Sequence, residues 1–391
     1  MLNPEIAKFK LAVSCPCIDD GTSLVRGEGP LGAMARHDRR LEIDHAPTID
    51  GNQMLSWSWI HRNDALLLQR PFRPEDVRAA VHAKMMQRPV WVDWDDDLTS
   101  VPPHNPYHHL YDHAKMRQTI AKLATLADVV TVTTERLAER IKEVSGLKPK
   151  VSSPPGAPPT RDLRLQTADS KLLVLPNACH WPRELERSAT IPRQRRVTWR
   201  GGKSHNEDIL EFLPAIAELA RLPQFSQWKW CFLGEPPWQV KQALPAERLE
   251  FFAEDIFHYL PSFGYLAPWV NIVPLKDDLF NRSKSNLAWI EGTCAGAITL
   301  APDWYEWWRP GVVNYKSSEE FKKVLRGVMS EIRTTTPYVE RSRDYIRREL
   351  LLDHVNAARW KILNNFAAER GSMSRSAAGH SPALQESAVA K

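Results

Sequence analysis

The chain has 391 residues, is 43% hydrophobic and carries a formal net charge of +5, with an isoelectric point near 8.9. That length allows two domains with separate cores, and the mild basicity permits a polyanionic partner without the excess of a histone-like protein. No apolar run approaches the length of a membrane-spanning helix, and MLNPEIAKFKLAVSCPC lacks the basic-then-apolar order of a secretory leader, so a cytoplasmic protein with no membrane partner is expected.

Lys10 to Ser14 reads as a strand, followed by a loop with Gly21, Gly27, Gly29 and Pro30 and a helix from Leu31 to Arg40. DALLLQRP (64–71) is a buried strand, PEDVRAAVHAKMM a helix, and RPVWVDWDDD a strand running into acid. KMRQTIAKLATLAD is a helix, VVTVTT a strand, and ERLAERIKEVSG a helix that stops at Gly146. SSPPGAPPTRD is a proline-rich loop, and KLLVLPNACH a strand leading out of this first unit. The alternation then restarts. RRVTWRGG, QWKWCFLGEPP, WVNIVPL and GAITLAP read as strands, NEDILEFLPAIAELARL as a helix, and NRSKSNLAWIEGTCA as a further helix. SEEFKKVLRGVMSEI is a capped helix, and an amphipathic stretch from Tyr338 to Phe366 closes the fold before a Ser/Ala-rich tail. Strands alternating with helices imply parallel sheets covered on both faces. The boundaries are set at 1–176 for an N-terminal domain, 177–336 for a C-terminal domain, 337–368 for a helix returning to the first, and 369–391 for a disordered tail.

The five cysteines are odd in number and scattered, which implies reduced thiols. Cys15 and Cys17 form C-x-C with no second pair or histidine cluster, so no zinc site is expected.

Three motifs follow strands, where ligands of doubly wound sheets bind. In WRGGKSHNED, Gly201 and Gly202 let backbone amides approach an anion, the next helix aims its N-terminus there, and Arg200 and Lys203 add charge. A plain turn with solvated basic side chains is the alternative. In NRSKSNLAWIEGTCAGAITLAP, Asn281 to Ser285 open the helix, where orphan N–H groups and Lys284 favour phosphate. Glu291 falls two turns further on, about 10 Å along the same face, where a carboxylate can accept from vicinal hydroxyls such as those of a ribose. The alternative is an exposed lysine and a satisfied glutamate on a core helix. The third motif, VDWDDDL (92–98), contains a D-x-D able to hold a divalent metal on a nucleotide diphosphate, or simply to cap helices and anchor loops.

Taken in order, ADVVTVTTERLAERI, LPNACHW, WRGGKSHNEDI and NRSKSNLAWIEGTCAGAITLAP resemble GT-B glycosyltransferases, in particular the retaining nucleotide-sugar group and its bacteriophage-type, DNA-modifying members. The resemblance spans Lys10 to Phe366. It implies two Rossmann-like α/β domains facing a cleft, with the last helix crossing back to the first domain. It implies a glycosyltransferase using a nucleotide sugar, such as a UDP-sugar, with no metal required. Arg200, Gly202, Lys203 and Lys284 would hold the donor diphosphate, joined by Gly201, Asn281 and Ser285, and Glu291 would bind the nucleotide ribose. The retaining group often has a second glutamate eight positions before the ribose glutamate; here that position is Ser283, so retention is not implied. An inverting enzyme needs a base in the first domain, for which Asp19, Asp20 and His104 are the loop candidates.

For the acceptor, SVPPHNPYHHLYDH in the first domain is the expected contact. The phage likeness and the clusters RHDRR (36–40) and RQRR (193–196) point to hydroxymethylated pyrimidines in duplex DNA, flipped from the stack. The alternatives are a polysaccharide, lipid-linked or protein acceptor, and a non-catalytic nucleotide- or DNA-binding module.

Overall fold

The computed structural model describes residues 1–15, 21–49, 52–146, 171–252, 258–331 and 335–378. The first half supplies β1 (Phe9–Ser14), β2 (Leu41–His45), a small antiparallel hairpin of β3 (Thr48–Ile49) and β4 (Asn52–Gln53), β5 (Ala65–Gln69), β6 (Val90–Trp94), β7 (Val129–Val132) and β8 (Leu172–Val174). The second half supplies β9 (Gln194–Gly201), β10 (Lys229–Gly234), β11 (Leu249–Phe252), β12 (Pro268–Ile272), β13 (Ile298–Pro302) and β14 (Val312–Tyr315). Two six-stranded sheets result, in the orders β2-β1-β5-β6-β7-β8 and β11-β10-β9-β12-β13-β14. All their pairings are parallel. Central strands such as ALLLQ and VWVDW are buried along their whole length because helices cover both faces. In each sheet the order reverses beside the first strand, between β1 and β5 and between β9 and β12, and these switch points open at the carboxyl ends.

Several elements differ from the expected ones. The Gly21–Pro30 segment is mainly helical, as Gly21–Arg26 and Glu28–His37. Pro30 lies in the first turn of the second helix, where its missing N–H costs nothing. The helix ends at His37, and the chain returns as edge strand β2. The proline-rich loop at 152–162 falls outside the described residues. The closing stretch is not one helix: Thr336–Tyr345 passes through a π-helical turn at Ile346–Leu350, breaks at Leu351, and resumes as Leu352–Ala378. Its backbone thus continues past Gly371, where a disordered tail was expected. Ile346 and Leu350 pack on the second domain, whereas Val355, Trp360, Leu363 and Phe366 pack with Phe9, Leu11 and Leu31 of the first. At the crossing, Cys179 forms a parallel bridge with Leu351: the Cys179 N–H donates to Leu350 O at 2.7 Å and the Leu352 N–H to Cys179 O at 3.2 Å.

Candidate active site

A cleft of about 650 Å³ lies between the carboxyl ends of the two sheets and is lined from both domains. Its second-domain wall is built where β9 ends. Gly234 has φ +105°, and a Cβ there would come within 2.3 Å of Gly201 O, so β9 and β10 close tightly only without side chains. At Gly202 a Cβ would meet nothing within 4 Å, so the bare backbone faces open space in the cleft.

Arg200 and Glu291 meet in this wall. Arg200 Nε lies 2.7 Å from Glu291 Oε2, an ion pair whose N–H is not aligned as a hydrogen bond. The Tyr259 hydroxyl donates to the same oxygen at 3.2 Å. Glu291 is 4% exposed, and burial pushes its carboxyl above the usual range, with Arg200 and Tyr259 only partly offsetting it. Both protein contacts fall on Oε2, and Glu291 lines the cleft.

Lys284 also lines the cleft, but not on the helix of Glu291. The short helix Leu279–Arg282 stops where the Ser283 hydroxyl donates back to Leu279 O at 3.0 Å, and the next helix begins at Leu287 after Asn286. Lys284 therefore sits in a turn, which lets it reach across the cleft: its Nζ is 3.7 Å from Asp96 Oδ1 of the first domain. Ser283 O accepts from the Thr134 hydroxyl at 3.0 Å, so this turn meets the first domain twice, and Ser285 Oγ accepts from Asn177 Nδ2 at 2.7 Å in the segment that joins the domains. Ser283 is fully buried and brings no carboxylate to the site.

Other expected site residues are placed elsewhere. Lys203 is exposed, does not line the cleft, and lies 3.5 Å from Glu235. Asn281 is 2% exposed and donates to Asp208 Oδ1 at 2.8 Å, so it braces the site from behind. His104 is exposed on its loop and does not line the cleft. Asp19 and Asp20 fall outside the described residues. In the basic clusters, Arg40 is bound to Asp38 and to the carbonyls of Leu2, Asn3 and Ile6. Arg193 stacks on Trp269 at 3.7 Å, and Arg196 pairs with Glu250 at 3.0 Å.

The acids of the VDWDDDL motif form the opposite wall. Asp95 and Asp96, just beyond β6, line the cleft and share Arg70 at 2.6 and 2.8 Å. Burial opposes ionisation of Asp96, but Lys284, Arg70 and His205 outweigh it and hold its carboxyl below the usual range. Their neighbours are also spoken for: Asp93 pairs with Arg26 at 2.5 Å and Asp97 with Arg140 at 2.9 Å. The acidic run thus has a basic partner at every aspartate, and no group of three or more metal-ligating side chains occurs among the described residues. The signal that singled the motif out was its position at the carboxyl end of an apolar strand; what the sequence did not show is that Asp95 and Asp96 share Arg70. His205 belongs to the WRGGKSHNED motif, where the sequence alone assigns it no role. It lines the cleft, and its Nδ1 lies 2.9 Å from Asp208 Oδ2.

No family model matches the chain, and no curated protein matches it in sequence. Solved structures do match. HepE from Anabaena, in complex with UDP and glucose, superimposes with a TM-score of 0.61 over 91% of this chain and 100% of that one, at 11% identity. A glycosyltransferase from Rickettsia africae gives 0.62 over 92% and 99%, at 10% identity. The chain has the GT-B fold. An alpha,alpha-trehalose-phosphate synthase (UDP-forming) from Burkholderia vietnamiensis gives 0.60 over 93% and 98%, at 9% identity. At such identities the shared property is the GT-B fold, with its paired sheets, intervening cleft and returning helix. No helix among the described residues is long and apolar enough to cross a membrane.

Proposed function

We propose that this protein is a glycosyltransferase that moves a sugar from a nucleotide diphosphate sugar, such as a UDP-sugar, to an acceptor hydroxyl. The observation that carries the reading is the convergence of Arg200, Lys284 and Glu291 with bare Gly202 backbone on one wall of the interdomain cleft. Cations and amides suit a diphosphate, and a buried carboxylate with an oxygen to spare suits the hydroxyls of a ribose. As the sugar's C1–O bond to the diphosphate breaks, negative charge grows on the leaving oxygen. Lys284, Arg200 and the backbone amides stabilise it electrostatically. HepE and the Rickettsia and Burkholderia proteins share this fold, and HepE holds UDP in its complex.

The acceptor enters from the first-domain wall, where Tyr107 and Tyr111 stand beside Asp95 and Asp96. Aromatic faces and carboxylates suit a polyhydroxyl acceptor, and we favour a glycan-like substrate. A hydroxymethylated pyrimidine in DNA is the second reading. It rests on Arg36, Arg39 and Arg195, which are exposed, while Arg40, Arg193 and Arg196 are engaged in the contacts described above.

The test is incubation of the intact chain with a panel of nucleotide sugars and either oligosaccharides or plain and hydroxymethylated duplex DNA, read by mass spectrometry. Transfer to a glycan with no duplex binding at low salt sets DNA aside. Transfer to hydroxymethylated duplex alone reverses that preference. No transfer and no hydrolysis of any nucleotide sugar overturns the enzymatic reading.

A further inference from the structure

We propose that His205, backed by Asp208, is a phosphate-binding cation of the donor site and that donor binding therefore takes up a proton. The proposal rests on the donor-site reading above. Asp208 begins as a fixed carboxylate. It is 2% exposed; its Oδ1 accepts from the Lys276 N–H at 3.0 Å and from Asn281 Nδ2 at 2.8 Å. That leaves Oδ2 for His205 Nδ1 at 2.9 Å. A carboxylate at Nδ1 fixes the ring's orientation and the tautomer with hydrogen on Nδ1. Among the described residues Nε2 has no partner, and the ring lines the cleft beside the Gly201–Gly202 turn. Protonated, Nε2 becomes a second donor directed at whatever anion lies there.

The charge facing the ring comes from both domains. Lys284 and Arg200 are cationic, Asp208 is anionic, and Asp96 faces it across the cleft from the first domain. Burial and Lys284 hold the imidazole below its usual range, with Asp208 pulling the other way, so the ring of the free protein is biased towards neutrality. A diphosphate seated against Lys284 and Arg200 adds negative charge to this set and favours the imidazolium. The sequence position is also telling. Lys203, the cation expected in this loop, is exposed, pairs with Glu235 and does not line the cleft, whereas His205, two residues on, does.

The sign follows from linkage. A ligand that prefers the protonated ring binds tightest at low pH and loses affinity as pH rises from the free towards the bound pKa of the ring, by up to about tenfold per unit within that window. The experiment is titration calorimetry of the intact chain with UDP-glucose and, separately, GDP-mannose, whose diphosphates are diesters with no phosphate proton to exchange near neutrality. Runs at several values between about pH 6 and 8, in pairs of buffers differing in ionisation enthalpy, report proton uptake. The expected result is uptake approaching one proton, with affinity falling as pH rises. His205→Ala should abolish the uptake and flatten the profile at the weak, high-pH level. His205→Lys should restore tight binding with no uptake. Wild-type binding without proton uptake, or an unchanged pH profile in folded His205→Ala, overturns the proposal and leaves the donor site standing. Failure of the wild type to bind either nucleotide sugar overturns the donor-site reading itself. The wild-type uptake measurement needs no variant and decides the matter even if a substitution impairs folding.

Discussion

Replacing Glu291 by glutamine keeps the side chain's volume and removes its charge. Arg200 Nε lies 2.7 Å from Oε2 and the Tyr259 hydroxyl 3.2 Å from the same atom, so two effects must be separated. Truncation to alanine would strand Arg200 beside a buried cavity, at a cost of about 3–5 kcal/mol for a broken buried pair. Arg200 keeps 24% of its side chain exposed to the cleft, which puts the loss at the lower end. Glutamine still accepts from Tyr259, and its stability cost should be about 1–3 kcal/mol. A ribose hydroxyl donating to the carboxylate is a charge-assisted bond, and its loss should weaken nucleotide binding by about 1.5–3 kcal/mol, roughly ten- to a hundredfold. Calorimetry of Glu291→Gln with UDP and with inorganic pyrophosphate separates the two effects. UDP affinity should fall while pyrophosphate affinity holds or rises, because Arg200 is released to the phosphates. Unchanged UDP affinity, or an equal fall for both ligands, would refute the assignment of Glu291 to the ribose.

Lys203→Ala should leave donor affinity within about twofold, the range of an exposed pair, since Lys203 is exposed beside Glu235 and is not among the residues that line the cleft; isothermal titration checks this. Asp96→Asn should strengthen binding of a nucleoside diphosphate by about 1 kcal/mol or more, because at 3.7 Å from Lys284 the carboxylate competes with the ligand for that cation. Turnover should survive EDTA, since Asp93, Asp95, Asp96 and Asp97 each have a basic partner; loss restored by manganese would contradict this. The Arg40 side chain, bonded to Asp38, lowers its carboxyl to about 2. Its contribution to stability is therefore complete above about pH 4, the unfolded value, and is lost as pH falls towards 2. Asp38→Asn should flatten that acid limb in chemical denaturation.

The central strands were legible because a strand buried on both faces is a run of apolar residues, as in ALLLQ or ITLAP. In the two large sheets, the strands that escaped notice, β2, β11 and β14, are edges. LEIDH and LEFF mix polar with apolar residues because one margin of an edge strand meets solvent, so neither strong period appears. Gly202, Arg200, Lys284, Ser285 and Glu291, all of which line the cleft, were named from two motifs that follow strands. The Lys284–Asp96 contact could not be named this way, since it joins residues far apart in sequence across two domains, and no local period records it. His205 looked like an ordinary turn residue until Asp208, one helical turn later, was seen to hold it. Lys203 was named with Arg200 because spacing tells which residues occupy a turn; that it is exposed beside Glu235 is a property of the folded chain.

The backbone bridge between Cys179 and Leu351 ties together the two places where the chain passes from one domain to the other. Any change in the angle between the domains must therefore be taken up at two adjacent, hydrogen-bonded segments. The same crossing makes the first domain discontinuous. Trp360, Leu363 and Phe366 complete a core begun by Phe9 and Leu11, so the earliest strands to leave a ribosome wait for nearly the last helix. A fragment cut before the crossing would carry an uncovered apolar face, prone to association with other chains. During synthesis the second domain can finish its own core first, and the domain that began the chain is sealed after it.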